Sequence, residues 1–395
     1  MATSEAVSGP AVRRRSLLRP LAFVATLTVV LGLLFGVPWW SLVMAGNEWP
    51  GVVQVLGTLV FAAVLVVFPV TMFLGHGRGV DWAARTGDTI LGAVWILFVW
   101  ALAGDLLRLA LLAGGVDDPV RSRVAAGFTA IVAVGLGAWG YREAMRVPRV
   151  RRVEVRIPRL GAGLDGLKIV QLTDTHYGPI DRVAWSKGVT EVVNSLEPDI
   201  VTHTGDIADG TVAQRTAQAA PLGDVRARLA RVYVTGNHEY FGEAQGWLDH
   251  MRALGWEPLH NRHIVVERGG DRLVVAGVDD RTAAATGLEG HRADHALALD
   301  GADPDLPVLL LAHQPKQIDA AVAHGIDLQL SGHTHGGQIW PFHYLVRVDQ
   351  PVVQGLTRHG ARTQLFTSRG TGFWGPPFRV FAPSEITEIT LRAGA

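Results

Sequence analysis

The segment Lys168-Ile169-Val170-Gln171-Leu172-Thr173-Asp174-Thr175-His176 shows the pattern on which the second half of the chain is built. Its apolar run predicts a strand, and the polar residues directly after it predict a loop at the carboxyl end of that strand. A helix-like stretch follows at Val183–Ser195, and further apolar runs occur at 198–201, 231–234, 272–277, 307–311 and 328–330. This order predicts an α/β domain whose polar residues gather at the carboxyl ends of its strands, where open α/β sheets place their sites.

Polar motifs follow these apolar runs in a fixed order. They are Asp174-Thr175-His176, Gly205-Asp206, Gly236-Asn237-His238-Glu239, the isolated His313, and Gly332-His333-Thr334-His335. Together they supply carboxylates, an amide oxygen and imidazoles, which suit two divalent metal ions of hard or borderline character. Two such ions about 3.5–4 Å apart can bind a phosphoryl group between them and activate a hydroxide for in-line attack. The motifs therefore predict a two-metal hydrolase of a phosphoester.

Length and composition narrow the class of protein. The chain has 395 residues, which is room for two domains. Its formal net charge is zero, so composition offers no electrostatic case for nucleic-acid binding, and no nucleic-acid-binding patch is evident. The absence of cysteine excludes disulfides, thiolate metal sites and cysteine nucleophiles.

The region before residue 146 contains four apolar stretches that approach or exceed the roughly 20 residues a helix needs to cross a bilayer. We place them at Leu21–Val43, Val52–Leu74, Ile90–Leu112 and Val124–Tyr141. Tryptophans lie at or near their ends, where amphipathic rings favour the headgroup region. The alternative, a buried helical bundle of a soluble protein, does not explain four such runs with flanking tryptophans. The lipid bilayer is therefore a predicted partner.

The distribution of arginine predicts how these spans are oriented. Arg13–Arg15 and Arg19 precede the first span, and further arginines follow the fourth between residues 142 and 152, whereas the first connection has none. An even number of spans then places both termini and the second half of the chain in the cytoplasm. The stretch Arg14–Leu18 also resembles a twin-arginine export signal, so a location outside the cell stays open as an alternative.

Two other charged features belong to this first part of the chain. Asp105 and Arg108 lie one helical turn apart near the end of the third apolar stretch, and we interpret them as a local ion pair that reaches the interface. Valine and arginine alternate between Arg142 and Arg156, and Val153–Ile157 reads as a half-buried strand. This stretch either binds anionic headgroups or continues the basic flank into an edge strand.

These observations predict four consecutive parts of the chain. Residues 1–20 form a basic N-terminal flank, and residues 21–145 form a transmembrane region of about four helices. Residues 146–166 form a basic junction, and residues 167–395 form the α/β domain.

The motif set resembles the calcineurin-like metallophosphoesterase superfamily, whose pattern is Asp-x-His, Gly-Asp, Gly-Asn-His-(Asp/Glu), His and Gly-His-x-His. The resemblance covers roughly residues 167 to 391 and implies a four-layer α/β/β/α sandwich. It implies that one metal is held by Asp174, His176 and His335, that the other is held by Asn237, His313 and His333, and that Asp206 bridges them. The metals implied are two divalent ions of manganese, iron or zinc, among which the ligand types do not decide.

The same resemblance implies catalytic and substrate-binding roles. His238 would act as the acid beside the metals, with Asp206 as the catalytic carboxylate, and a neighbouring carboxylate such as Asp206 would orient the His238 ring. Asn237, His238 and Arg369 would contact the substrate. The spans, together with Gly332–Gln338 and Ser368–Gly372, make the chain similar to a membrane-associated bacterial branch of the superfamily. Some members of that branch resemble hydrolases of UDP-diacylglucosamine. We predict hydrolysis of a phosphodiester or pyrophosphate, and the membrane spans and the basic junction motivate the hypothesis of a membrane-associated, lipid-linked substrate.

Two alternatives remain at this point. The metal domain could be structural, in which case the protein would be a membrane-anchored sensor or scaffold. An apolar, proline-rich region near the C-terminus could face lipid or an acyl substrate, or it could pack as part of the core. Its aromatic members are Trp340, Phe342, Phe373, Trp374 and Phe378.

Overall fold

The structure of the protein is a computed structural model that describes residues 18–394, with side chains from Ala22 onward. The basic residues at 13–15 and most of the twin-arginine stretch lie outside the described residues. The chain forms two compact units. One holds the described residues up to Leu65 together with Trp100–Thr129, and the other holds Val66–Val99 together with the residues from Ala130 onward.

Long apolar helices make up most of the described residues up to Met145. They are α1 (Leu18–Trp39), α2 (Gly51–Met72), α3 (Asp81–Ala113) and α4 (Val120–Met145), with π-helical turns at Trp40–Met44 and Phe73–Gly77. Within residues 18–394, four helices are long and apolar enough to cross a membrane. The four predicted apolar stretches are thus confirmed as helices. The third helix begins nine residues earlier than predicted, at Asp81 instead of Ile90, because backbone hydrogen bonding includes the partly polar residues that precede the apolar run.

Within the first unit, the predicted pair of Asp105 and Arg108 is confirmed. An Arg108 nitrogen lies 3.8 Å from an Asp105 carboxylate oxygen. Ser41 donates a hydrogen bond of 2.8 Å to the same carboxylate, and Arg108 donates one of 3.2 Å to the carbonyl of Ala45. Local partners therefore satisfy both charges.

Two six-stranded sheets form the α/β part of the second unit. The first sheet contains β1 (Arg149–Ile157), β2 (Lys168–Leu172), β3 (Ile200–His203), β4 (Ala230–Tyr233), β5 (Glu257–Pro258) and β12 (Glu385–Ala393), in the order β1-β12-β2-β3-β4-β5. The second contains β6 (Arg262–Arg268), β7 (Asp271–Gly277), β8 (Val308–Leu311), β9 (Leu328–Ser331), β10 (Gly355–His359) and β11 (Thr363–Thr367), in the order β10-β11-β9-β8-β7-β6.

Helices cover the outer face of each sheet. α5 (Val183–Ser195), α6 (Val212–Ala219) and α8 (Ala244–Ala253) pack on the first sheet, and α10 (His295–Ala298) and α11 (Ile318–Ala323) pack on the second. The other short helices are α7 (Asn237–Phe241), α9 (Ala283–Thr286) and α12 (His343–Asp349). Residues such as Ile169, Leu309 and Leu330 fill the space between the sheets. Trp247 of α8 packs on the first sheet and Ile318 of α11 on the second, which confirms the four-layer α/β/β/α sandwich.

The central strands match the predicted ones because they are buried on both faces and therefore read as continuous apolar runs. β2 and α5 have the predicted bounds, β3, β4, β7, β8 and β9 differ from the predicted strands by one or two residues, and β1 begins four residues before the predicted Val153. β1 lies at the edge of its sheet, and its arginines pair with β12. Arg152 lies 2.8 Å from Glu388, and Arg151 lies 3.3 Å from Glu385. The basic junction thus continues into an edge strand, while headgroup binding stays a prediction.

Candidate metal centre

The polar motifs meet where the carboxyl ends of parallel strands from the two sheets come together. β2, β3 and β4 run parallel in one sheet, and β7, β8 and β9 run parallel in the other. The loop after each of these strands carries a motif, except the loop after β7. The structure therefore brings together every residue predicted as a metal ligand: Asp174, His176, Asp206, Asn237, His313, His333 and His335.

One group of donors consists of Asp174, His176 and His335, which are buried and whose ligand atoms lie within 4.8 Å of one another. His176 Nδ1 is 2.9 Å from Asp209 Oδ1. Since a carboxylate only accepts, Nδ1 carries the proton and Nε2 presents a lone pair. That Nε2 lies 3.1 Å from Nε2 of His335.

A second group consists of Asp206, His313 and His333, also within 4.8 Å of one another. His313 Nδ1 lies 2.8 Å from the carbonyl of Thr204, so Nδ1 donates and Nε2 presents a lone pair. That Nε2 lies 3.1 Å from both Asp206 Oδ2 and Asn237 Oδ1. With a neutral His313 ring, three buried acceptors would face one another, and this arrangement needs a proton or a metal ion between them. Imidazole, carboxylate and amide oxygen are the donor types that suit a borderline divalent ion.

The pKa values of these groups show the same demand for positive charge. Burial opposes protonation of His313, yet Asp206 outweighs burial and raises the pKa of His313 well above its usual value. Burial by itself would raise the pKa of Asp206, but His313 and then His238 hold it well below its usual range. A proton or a metal ion can satisfy this part of the site.

Burial keeps two other imidazoles neutral. It lowers the pKa of His333 to about 3, and burial followed by the charge of Arg379 lowers the pKa of His335 well below its usual value. Neutral imidazole is the form that ligates metal, so both rings are suited to the role at pH 7.

Asp206 joins the two groups. Its Oδ2 lies 3.1 Å from His313 Nε2 and 3.6 Å from His176 Nε2. A single carboxylate is thus in reach of both donor sets, as a bridging ligand must be.

The donor loops have unusual backbone conformations. Asp174, His176, Asp206, His333 and His335 all have positive φ, between 42° and 70°. Non-glycine residues rarely adopt this region, and each instance costs on the order of 1–3 kcal/mol that the surrounding structure must offset. Strained conformations of this kind concentrate at functional sites.

Glu239 holds two of these loops in place. Its carboxylate accepts hydrogen bonds from the backbone N–H groups of Gly236, Asp206 and Ile207, at 2.6, 3.0 and 2.7 Å. The last residue of the Gly-Asn-His-Glu motif therefore positions the loops after β3 and β4.

Two motif glycines are required by close approach to the donors. A Cβ on Gly332 would overlap the carboxylate of Asp174 and the hydroxyl of Thr173, and a Cβ on Gly236 would overlap the carboxylate of Asp206. The glycines thus allow neighbouring loops to pack against the ligands.

His238 lies beside the donors and contacts a different carboxylate from the one expected. Its Nδ1 is 2.7 Å from Asp209 Oδ1, whereas Asp206 accepts only from the backbone N–H of His238, at 2.9 Å. The ring is therefore oriented by Asp209. Burial opposes its charge, but Asp206 and Asp209 outweigh burial and raise the pKa of His238 to about 9, so the ring carries a proton at neutral pH.

The donors open into a cavity of about 720 Å³ within the second unit. Asp206, Asn237, His238, His333 and His335 form its polar part. The other walls are mostly apolar and come from the membrane-type helices and the C-terminal region: Met72, Leu91, Trp95, Ile339, Phe342, Val346, Trp374 and Pro376. His76 and Asp88 also line it, and their side chains are 2.9 Å apart.

Arg369, predicted to contact substrate, forms an ion pair with the buried carboxylate of Glu385, at 2.6 Å. It is not among the described residues that line the cavity, and its substrate role stays a prediction.

Sequence reasoning missed several residues of the site. Asp209 follows Asp206 by three residues in the same loop, a spacing that could have singled it out. His76 and Asp88 are ionisable residues in apolar helices, which is itself a functional signal. Arg379 is fully buried and donates to the carbonyl of His335 at 2.7 Å, but no local pattern marks it.

Comparison with known proteins agrees with this geometry. The family model described as calcineurin-like phosphoesterase matches residues 167–337. A transmembrane protein with metallophosphoesterase domain from Danio rerio is 34% identical over 347 residues, which cover 85% of this chain and 79% of the relative. The Bos taurus protein of the same description is 35% identical, covering 77% and 73%.

An uncharacterized metallophosphoesterase from Helicobacter pylori is 36% identical over 253 residues, covering 64% of this chain and 66% of the relative. Because vertebrate and bacterial proteins both match, the similarity extends beyond the bacterial branch that the sequence suggested.

Proposed function

The chain belongs to the calcineurin-like phosphoesterase family, and from this premise we propose that its buried centre hydrolyses a phosphodiester or a pyrophosphate with two bound divalent ions. The observation that carries the proposal is the convergence of three buried side chains that can each ligate a metal, with His313 Nε2 3.1 Å from both Asp206 Oδ2 and Asn237 Oδ1.

The ligand assignment follows from the two donor groups. Asp174, His176 and His335 would hold one ion, Asn237, His313 and His333 the other, and Asp206 both. When bound, such ions supply charge stabilisation at the phosphoryl oxygens and lower the pKa of water.

The remaining roles belong to the side chains around the donors. Asp209 holds Nδ1 of His238, which leaves Nε2 as the atom that can donate a proton to the leaving oxygen. Positioned proton donors of this kind contribute about 10²–10⁴-fold to rate. Trp374 and Phe241 pack edge-on against the His238 ring, at centroid distances of 6.0 and 5.2 Å, and limit its rotation.

The substrate we propose is membrane-associated and lipid-linked. The support is the composition of the cavity, which has the metal donors at one end and the apolar side chains of Leu91, Trp95 and Phe342 along its walls. A phosphorylated amphiphile matches both parts, because its phosphate meets the donors and its hydrocarbon the apolar walls.

The location we propose is a multi-pass position in the membrane with the metal domain in the cytoplasm. The support is four helices of sufficient length and hydropathy, and arginines that flank the first and the fourth. Protease added to intact spheroplasts should leave the metal domain uncut, and digestion of that domain before lysis would favour the exported alternative.

The experiment that tests the function is hydrolysis by the purified full chain with added Mn²⁺, on an aryl phosphodiester and on a lipid-linked pyrophosphate. His238→Ala and Asp206→Asn should lose turnover. His324→Ala, at an exposed position directly after α11, should keep it. If the wild type binds metal and cleaves neither substrate, the sensor or scaffold alternative replaces this proposal.

A further inference from the structure

We propose that residues 340–348, which we name the lip, insert into the lipid bilayer and form the wall between the bilayer and the active-site cavity. The lip consists of Trp340, Pro341, Phe342 and the first six residues of α12. It belongs to the α/β domain in sequence and is separate from the four long apolar helices.

The outer face of the lip is apolar and uncovered. α12 contains no buried residue. Tyr344, Leu345 and Val348 are 60%, 55% and 86% exposed, and their spacing places them together on one side of the helix. Leaving such side chains in water forgoes the free energy that their burial would release. Contiguous apolar surface of this kind marks an interaction site.

The inner face of the same segment belongs to the cavity. Phe342 and Val346 line it together with the metal donors. The Phe342 ring also packs edge-on against Trp95 of α3, with centroids 5.7 Å apart. The lip is therefore a thin wall, with the active-site cavity on one side and bare apolar surface on the other.

Continuity with the membrane-type helices identifies what covers the outer face. Phe381 is 57% exposed, and its ring lies 6.4 Å from that of Trp340 and 5.8 Å from that of Trp139 on α4. Farther along α4, Ile131 is 75% exposed. Neighbouring aromatic rings thus connect α4 through Phe381 to Trp340 at the start of the lip, so lipid around α4 would also meet the lip.

The residue types of the lip suit the headgroup region of a bilayer. Trp340 and Tyr344 combine an apolar ring with a polar group, as side chains at membrane interfaces do. Arg347 lies on the same helix and can extend its guanidinium to lipid phosphates. A short amphipathic helix of this composition lies in the interface plane instead of crossing the bilayer.

A consequence for catalysis rests on the proposed function. If the substrate is lipid-linked, movement of the lip would let it pass sideways from the bilayer to the metal donors. The insertion of the lip into lipid does not depend on that step, and the experiment below measures insertion separately from turnover.

The natural lack of cysteine allows a direct test on the full chain. Leu345→Cys and Val348→Cys, each labelled with an environment-sensitive fluorophore, are compared with Val265→Cys in phosphatidylcholine nanodiscs containing doxyl-labelled lipid. Val265 is 46% exposed on β6 and serves as the matched control. We expect blue-shifted emission and strong quenching at 345 and 348, and an aqueous, unquenched signal at 265.

Two results would overturn the proposal. Aqueous emission at both 345 and 348 in nanodiscs is one of them. The other is a blue shift of the fluorophore at these positions in detergent that depends on protein concentration, which would show that a second copy of the chain covers the lip.

A charge substitution then tests whether insertion of the lip affects turnover of the lipid-linked substrate. Val348→Asp should remove quenching at 345 and lower turnover of the lipid-linked substrate by about tenfold, since a carboxylate is costly in the bilayer. Turnover of the soluble aryl phosphodiester should not change, and Val265→Asp should change neither. If no substrate is cleaved at all, the proposed function fails, while the quenching data still decide the position of the lip. Equal turnover of the lipid-linked substrate by Val348→Asp and wild type, with quenching at 345 lost, would contradict the role of the lip in substrate access.

Discussion

At the scale of single residues, the centre depends on which nitrogen of each histidine carries the proton. Asp209 accepts a hydrogen bond from Nδ1 of His176, and the carbonyl of Thr204 accepts one from Nδ1 of His313. In both rings the outer hydrogen bond leaves Nε2 facing the other donors. Such partners behind metal ligands fix the orientation of the rings.

Asp209 is the residue at which this effect can be measured, because one of its oxygens contacts both His176 and His238, at 2.9 and 2.7 Å. We expect Asp209→Asn to lower kcat/KM and metal affinity by about 10–100-fold, since the amide lacks the charge that orients both rings. Steady-state kinetics and metal content after dialysis would measure the two effects. Asp319→Asn, at an exposed position on α11, is the control. Wild-type values for Asp209→Asn would show that the contacts are incidental.

Gly332 tests the steric requirement of the same loops. We expect Gly332→Ala to lose most bound metal, because its methyl group would displace the carboxylate of Asp174. Gly178→Ala is the control, since a Cβ there meets Asp209 only at an ordinary contact distance of 3.5 Å. Metal content by elemental analysis decides the matter. Full metal content in Gly332→Ala would mean that the loop after β9 adjusts freely.

At the scale of elements, helix α3 packs against the C-terminal region through a glycine. A Cβ on Gly92 would overlap the ring of Phe378 and the side chain of Pro376. The absence of a side chain at this position lets the helix approach the segment that also lines the cavity.

The substitution Gly92→Ala separates packing from helix propensity. Alanine by itself favours a helix by roughly 0.5–1 kcal/mol over glycine, but overpacking at this position should cost about 1–3 kcal/mol. We therefore expect a lower midpoint of thermal unfolding in detergent, followed by tryptophan fluorescence. Gly135→Ala on α4 has open space around its Cβ and should not lower the midpoint. A midpoint for Gly92→Ala at or above that of Gly135→Ala would contradict the close packing.

At the scale of the whole molecule, parts of the long apolar helices belong to the same compact unit as the metal donors. Arg215 of α6 forms two hydrogen bonds, of 2.7 and 2.6 Å, with Asp81 at the start of α3. Arg379 donates from its backbone to the carbonyl of Gly140 on α4, at 2.9 Å. These contacts hold the cavity walls against the catalytic loops.

Metal removal should therefore lower the stability of the whole unit. Buried acceptors and strained loops gather at the centre, so we expect chelation to lower the thermal midpoint and added Mn²⁺ to restore it. Ligand at about 100 times its dissociation constant stabilises the native state by roughly 2.7 kcal/mol. Asp206→Asn should respond to Mn²⁺ much less than the wild type. A midpoint that is the same with and without chelator would argue against a bound metal.

The sequence by itself determined the elements and the donor residues. The strand ending at Leu172, the helix over Val183–Ser195 and the apolar helices could be read locally, because hydrophobic periodicity and run length reflect burial within each segment. The motif order also identified the family, and it predicted the ligands, since metal chemistry restricts which residue types can serve.

Only the tertiary structure decided how those residues are supported and what faces them. The pairing of Asp209 with His238, the buried Arg379 behind His335, and the wall that Trp95 and Phe342 build at the cavity join residues far apart in the chain. Such contacts depend on packing between layers and leave no periodic signal in any one segment. For the same reason the exposed face of α12 became visible only when its surroundings were known, because exposure depends on what the rest of the fold leaves uncovered.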